Sequence, residues 1–78
     1  MPEPDDATPP VGLLPAVAFE YRNHRGVEAT RRVHPVRILY GRTEWHREEQ
    51  WLMEAWDAER RATRTFAMQD IRGWRAAP

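Results

Sequence analysis

Residues 16–23, AVAFEYRN, alternate along an extended chain: Val17, Phe19 and Tyr21 fall on one face, Ala18, Glu20 and Arg22 on the other. That period of two predicts a half-buried strand. NHRGVE follows, where Asn23 and Gly26 supply turn chemistry. ATRRVHPVRILYG, 29–41, is β-branched and ends on Gly41. Pro35 has no N–H for a ladder, so this stretch reads as strand, kink, strand.

The next stretch resists a single period. HREEQWLMEAWDAERRA, 46–62, is composed of good helix formers. On a helix Leu52, Met53 and Trp56 share a face, but Trp51 and Ala55 lie well off it. On a strand Trp51, Met53 and Ala55 alternate with Leu52, Glu54 and Trp56, which puts apolar groups on both faces. DAERRA, 57–62, has no glycine or proline to favour a turn. On pattern alone a helix over 46–62 has a slight advantage, and the strand stays open. TRTFAMQDI, 63–71, alternates weakly. At the other end, MPEPDDATPPVGLLP packs five prolines and three acids into residues 1–15. That composition predicts a disordered or extended arm, with the folded domain at 16–78.

Composition narrows the chemistry. Seventy-eight residues allow one domain with a thin core. There is no cysteine, no lysine and no serine, so all 12 basic residues are arginine. Cysteine, lysine and serine nucleophiles are therefore excluded. Arginine binds planar acceptors through a fork. The lack of cysteine fits a reducing compartment, and with no secretory signal or membrane-length apolar run a cytoplasmic location and no membrane partner are expected.

The net charge of zero hides four blocks. Residues 1–20 carry −4, 21–47 carry +5, 48–59 carry −5 and 60–78 carry +4. Such blocks either present a basic face or neutralise each other across strands. His24, His34 and His46 match no zinc spacing, so no metal is expected. Glu48 and Glu49 are adjacent and point apart in an extended chain. The four glycines are isolated, which excludes a phosphate-cradling loop.

FEYRNHRG, TRRVHPVRIL, QWLMEAWD and RTFAMQDI, in that order, resemble the WYL domain family. Three features depart from its pattern. The naming triplet is Trp51-Leu52-Met53, Asp70 stands where an arginine is usual before the final isoleucine, and the loop 40–50 is long and carries Trp45. The resemblance implies an all-β fold, a small five-stranded Sm-like (Src-homology-3-like) barrel, and so replaces the helix over 46–62 with a strand. It places Trp51 in the core with Phe19, Tyr21, Val33, Ile38 and Phe66, and leaves Trp56 and Trp45 at least partly exposed.

WYL domains are regarded as ligand-sensing modules for nucleic acids or nucleotides, so the resemblance implies a binding module with no catalysis and no cofactor. Arg31 and Arg64 sit nearest the family's Arg-x-x-x-Pro and Arg-x-Phe positions. With Arg32, Arg37 and Arg61 they form the expected phosphate contacts, and Trp56 and Trp45 the stacking platforms. The alternative is a protein-interaction or homo-oligomeric assembly module, docking through faces of opposite charge or through exposed tryptophan.

Overall fold

The computed structural model describes residues 9–78. Residues 1–8 of the expected arm lie outside the described residues, and 9–15 form no strand. Five strands follow in chain order: β1 (Val17–Arg22), β2 (Glu28–Gly41), β3 (Gln50–Asp57), β4 (Ala62–Ala67) and β5 (Ile71–Ala76), with a single 3-10 turn at Met68–Asp70. They make one antiparallel sheet in the order β4-β3-β2-β1-β5. The all-β expectation holds and the helix over 46–62 does not form.

The turns follow from side chains. Asn23 Oδ1 accepts the Arg25 and Val27 N–H groups at 2.8 and 3.0 Å, and Gly26 takes φ 79°. The turn after β3 forms without glycine or proline. Asp57 Oδ1 accepts the Glu59 and Arg60 N–H groups, both at 3.1 Å, and Arg61 adopts φ 53°. An aspartate that bonds backbone two and three residues on replaces the usual turn residues.

Strand β2 is long enough to serve two half-sheets. Its first half pairs with β1 (Val17 opposite Val33, Phe19 opposite Arg31), its second with β3 (Ile38 opposite Met53, Tyr40 opposite Trp51). The register shifts between Pro35 and Arg37, leaving Val36 as the extra residue of a bulge. Proline tolerates that position because its missing N–H is not needed there. The bulge also changes phase. Odd positions face the core before it, whereas after it Ile38 and Tyr40 share the face of Met53 and Trp51.

The core joins Phe19, Tyr21, Val33, Met53, Ala55 and Phe66, with Val17, Met68 and Ile71 packed against it. Phe66 meets Phe19 and Tyr21 edge to face, at 5.2 and 4.9 Å between ring centroids. Phe19, Tyr21, Val33 and Phe66 are thus core residues as expected. Trp51 and Ile38 are not: each is 58% exposed. They lie on the core face but at the far end of the β2–β3 hairpin, beyond the reach of β1, which flanks only the first half of β2, and of β5 on its far side.

Trp56 is the reverse case, only 2% exposed. It lies on the opposite face of β3, paired with His34. His34 Nδ1 donates to the Leu14 carbonyl at 2.8 Å, so the segment entering β1 crosses this face. Ala16, Ala18, Leu52 and Ala67 are buried outside the main core. Strand β3 is therefore covered on both sides, which is why neither period was clean.

The sheet is not closed into a barrel. Strands β4 and β5 are its two edges and do not pair. The connection across the core is made by Tyr21, whose hydroxyl accepts the buried Ala67 N–H at 2.9 Å. Burial pushes the Tyr21 phenol up from its ordinary pKa, opposed by that hydrogen bond; Asp70 adds to the rise and Arg31 reduces it.

Candidate nucleotide-binding site

A concavity arises from the mismatch between β2 and β3. The β2–β3 ladder extends back only to His34 opposite Trp56. After Asp57 the chain turns into β4, so residues 29–32 keep β1 on one flank and have no ladder partner on the other. Between this bare flank and the β3–β4 turn opens a pocket of about 310 Å³, with Arg31, Arg32 and Arg60 as its cations and Asp57 and Glu59 as its acids. Ala29 and Thr30 complete the wall.

The charges in this pocket are not equally available. Asp57 is buried, holds two turn N–H groups and lies 3.9 Å from Arg60 Nε. Its negative charge is thus committed to the turn. Arg32 donates to the Pro78 carbonyl at 3.2 Å and is otherwise exposed. Arg31 Nε is buried with no hydrogen-bond partner. A buried unpaired guanidinium N–H costs stability comparable to a lost hydrogen bond, so a native structure that keeps one calls for an explanation.

The expected site residues separate. Arg31 and Arg32 line the pocket, and Arg61 follows Arg60 on its turn. Arg64 is exposed on edge strand β4, opposite Ala55. Arg37 lies beyond the bulge and forms an ion pair with Glu54. Trp45 is 59% exposed but lies in the loop 42–49, its ring stacked on His24 at 4.3 Å and 14°. Trp56 is buried and corrects the expectation of a stacking surface: its face is covered by the chain entering β1.

Trp74, half exposed on β5, was not among the expected contacts. The signal for Trp74 was Gly73, a glycine inside an otherwise strand-like run, which marks a bulge. The exposed aromatic residues Tyr40 and Trp51 meet edge to face at 5.2 Å and, with Ile38, form a separate apolar patch at the far end of the sheet.

The histidines have structural contacts. His46 is held by Thr43 Oγ1, 3.2 Å from its Nδ1, and its Nε2 lies 3.5 Å from the Tyr21 hydroxyl. Among the described residues no group of three or more His, Cys, Asp or Glu is placed to hold a metal ion. On the outer face Arg75 Nη1 donates to Glu20 Oε2 at 2.9 Å, and this hydrogen bond lowers the Glu20 carboxyl from its ordinary pKa. No helix among the described residues is long and apolar enough to cross a membrane.

The described residues form a small all-β domain, an antiparallel sheet with an arginine-lined pocket at the β3–β4 turn. The family model for the WYL domain matches residues 15–76, and the chain belongs to that family. Domains of this family are associated with ligand or nucleic-acid binding in regulators. No curated protein and no solved structure matches the chain.

Proposed function

We propose that this domain binds single-stranded nucleic acid or a nucleotide, without catalysis, as the ligand-sensing part of a regulatory system in the cytoplasm. The observation that carries the reading is a pocket with three arginines, Arg31, Arg32 and Arg60, in its lining. Guanidinium groups are strong, planar partners for phosphate. The arginines in the pocket outnumber its acids, and one acid is already committed. The Sm-like barrel that the family resemblance implies needs β4 and β5 to close on each other, and in this sheet they do not pair.

The test is fluorescence anisotropy with a labelled single-stranded oligonucleotide at about 50 and 200 mM salt. Two or three phosphate contacts predict an affinity loss of about 7- to 18-fold between those salts. Arg31→Ala is expected to weaken binding and flatten the salt dependence. Absence of binding at low salt, or an Arg31→Ala protein that binds as the wild type does, overturns the reading.

A second reading, docking of a protein or a second copy, is favoured by the Ile38, Tyr40 and Trp51 patch. Exposed aromatic clusters of this kind mark interfaces. Sedimentation equilibrium of the wild type and Trp51→Ser separates the two: self-association removed by Trp51→Ser supports the interface.

A further inference from the structure

The edge strand β5 carries a device that nothing described so far uses. Alternation from Ile71, which pairs with Tyr21 on the core face, would put Gly73 toward Phe19 and Trp74 on the outer face. A register shift between Ala18 and Glu20 prevents this: Arg72 pairs with Glu20 and Arg75 with Ala18, so Gly73 and Trp74 together oppose Phe19. Gly73 takes φ 65°, and a Cβ there would stand 2.8 Å from Glu20 Oε2. Arg75 closes the bulge, its Nη1 donating to the Gly73 carbonyl at 2.8 Å as well as to Glu20. Bulges of this type re-aim a side chain.

The side chain re-aimed is Trp74. Its ring lies parallel to Phe19, 5.8 Å between centroids and 1° between planes, yet Trp74 is 50% exposed. Phe19 is itself fully buried and gripped edge-on by Phe66. The indole is thus backed by a fixed ring and half open to solvent, on an edge strand of the sheet. On the two edge strands Arg64 and Arg72 form no ion pair among the described residues.

We propose that Trp74 is a stacking platform for an unpaired nucleobase of a strand whose phosphates the arginine pocket holds: Trp74 stacks on Phe19, and Phe19 lies opposite Arg31 of that pocket. This inference rests on the nucleic-acid reading above.

The experiment compares a labelled short oligothymidylate with an abasic strand of equal length, on the wild type, Trp74→Leu, Trp74→Phe and Arg31→Ala. Leucine keeps an apolar cover on Phe19. Trp74→Leu is expected to weaken the thymidylate by about 5- to 150-fold, the range for loss of one aromatic–base stack, and to leave the abasic strand unchanged. Trp74→Phe is expected to restore most of the affinity, and Arg31→Ala to weaken both strands. A strand carrying 2-aminopurine gives a second reading on the wild type alone, with its fluorescence quenched in the complex. Equal effects of Trp74→Leu on both strands, or a saturated complex without quenching, overturn the platform while leaving the phosphate reading standing. No binding of either strand by the wild type overturns both.

Discussion

The Tyr21 hydroxyl joins two parts of a sheet that never close on each other, and Tyr21→Phe removes that connection with a single oxygen. The ring stays in place, held edge to face by Phe19 at 6.3 Å and Phe66 at 4.9 Å. What is lost is the acceptor of the Ala67 N–H, on a residue with 0% exposure and no water to substitute. A buried donor left without a partner costs about 1–3 kcal/mol. A chain of this length holds on the order of 4–12 kcal/mol in total, so the loss is a large share of it. Urea unfolding followed by tryptophan fluorescence measures it. With m about 1 kcal/mol/M the midpoint falls by about 1–3 M at unchanged m. Tyr40→Phe is the control, because Tyr40 is exposed and its hydroxyl reaches only the Glu49 carbonyl at 3.3 Å. A Tyr21→Phe midpoint within about 0.3 M of the wild type would refute the reasoning, since m then converts to under about 0.5 kcal/mol.

Three further outcomes follow from the same geometry. Because the folded-state pKa of Tyr21 is raised, the folded state keeps a proton that the unfolded state loses near pH ~10. Stability from this group is present below that pH and falls as pH rises through the raised value, so the urea midpoint drops on the alkaline side, and less so in Tyr21→Phe. Trp56→Ala is expected to cost about 3–5 kcal/mol and Trp51→Ala less than about 1 kcal/mol, read from the same urea curves; the opposite ranking would contradict the observed faces of β3. Gly73→Ala forces a Cβ against Glu20 at a positive φ and is expected to cost about 1–2 kcal/mol, lowering Tm by about 5–15 °C in calorimetry.

Where one face of a strand is buried, its alternation was readable: β1 carries Phe19 and Tyr21 inward as its pattern states. Pro35 marked the break in β2 correctly, but not its consequence. A bulge shifts phase by one residue, so Ile38 and Trp51 could not be placed until the pairing was known. Strand β3 misled because it is covered on both sides, by the core and by the chain near Leu14, and a helix-favouring composition then had nothing to contradict it. The ordered set of motifs decided the strand where local pattern could not. Of the site, Arg31 and Arg32 were legible because they sit beside Pro35 in a recognisable motif. The pocket itself was not, since it exists only because β3 turns away while residues 28–33 of β2 go on pairing with β1 alone. Trp74 was hidden by a bulge whose only trace is one glycine.

The unpaired outer flanks of β4 and β5 have a consequence for solubility. A bare strand edge offers N–H and C=O groups to any other chain, and repeated edge-to-edge pairing leads to fibres. Natural sheets blunt such edges with charge, commonly lysine. This chain has no lysine, and arginine takes that place: Arg64 on one edge, Arg72 and Arg75 on the other. The same cations that would hold a polyanion are thus gatekeepers that make two copies repel along their edges. Neutralising them, by substitution or by a short polyanion too dilute to coat every molecule, is expected to turn a monodisperse solution into one that scatters light.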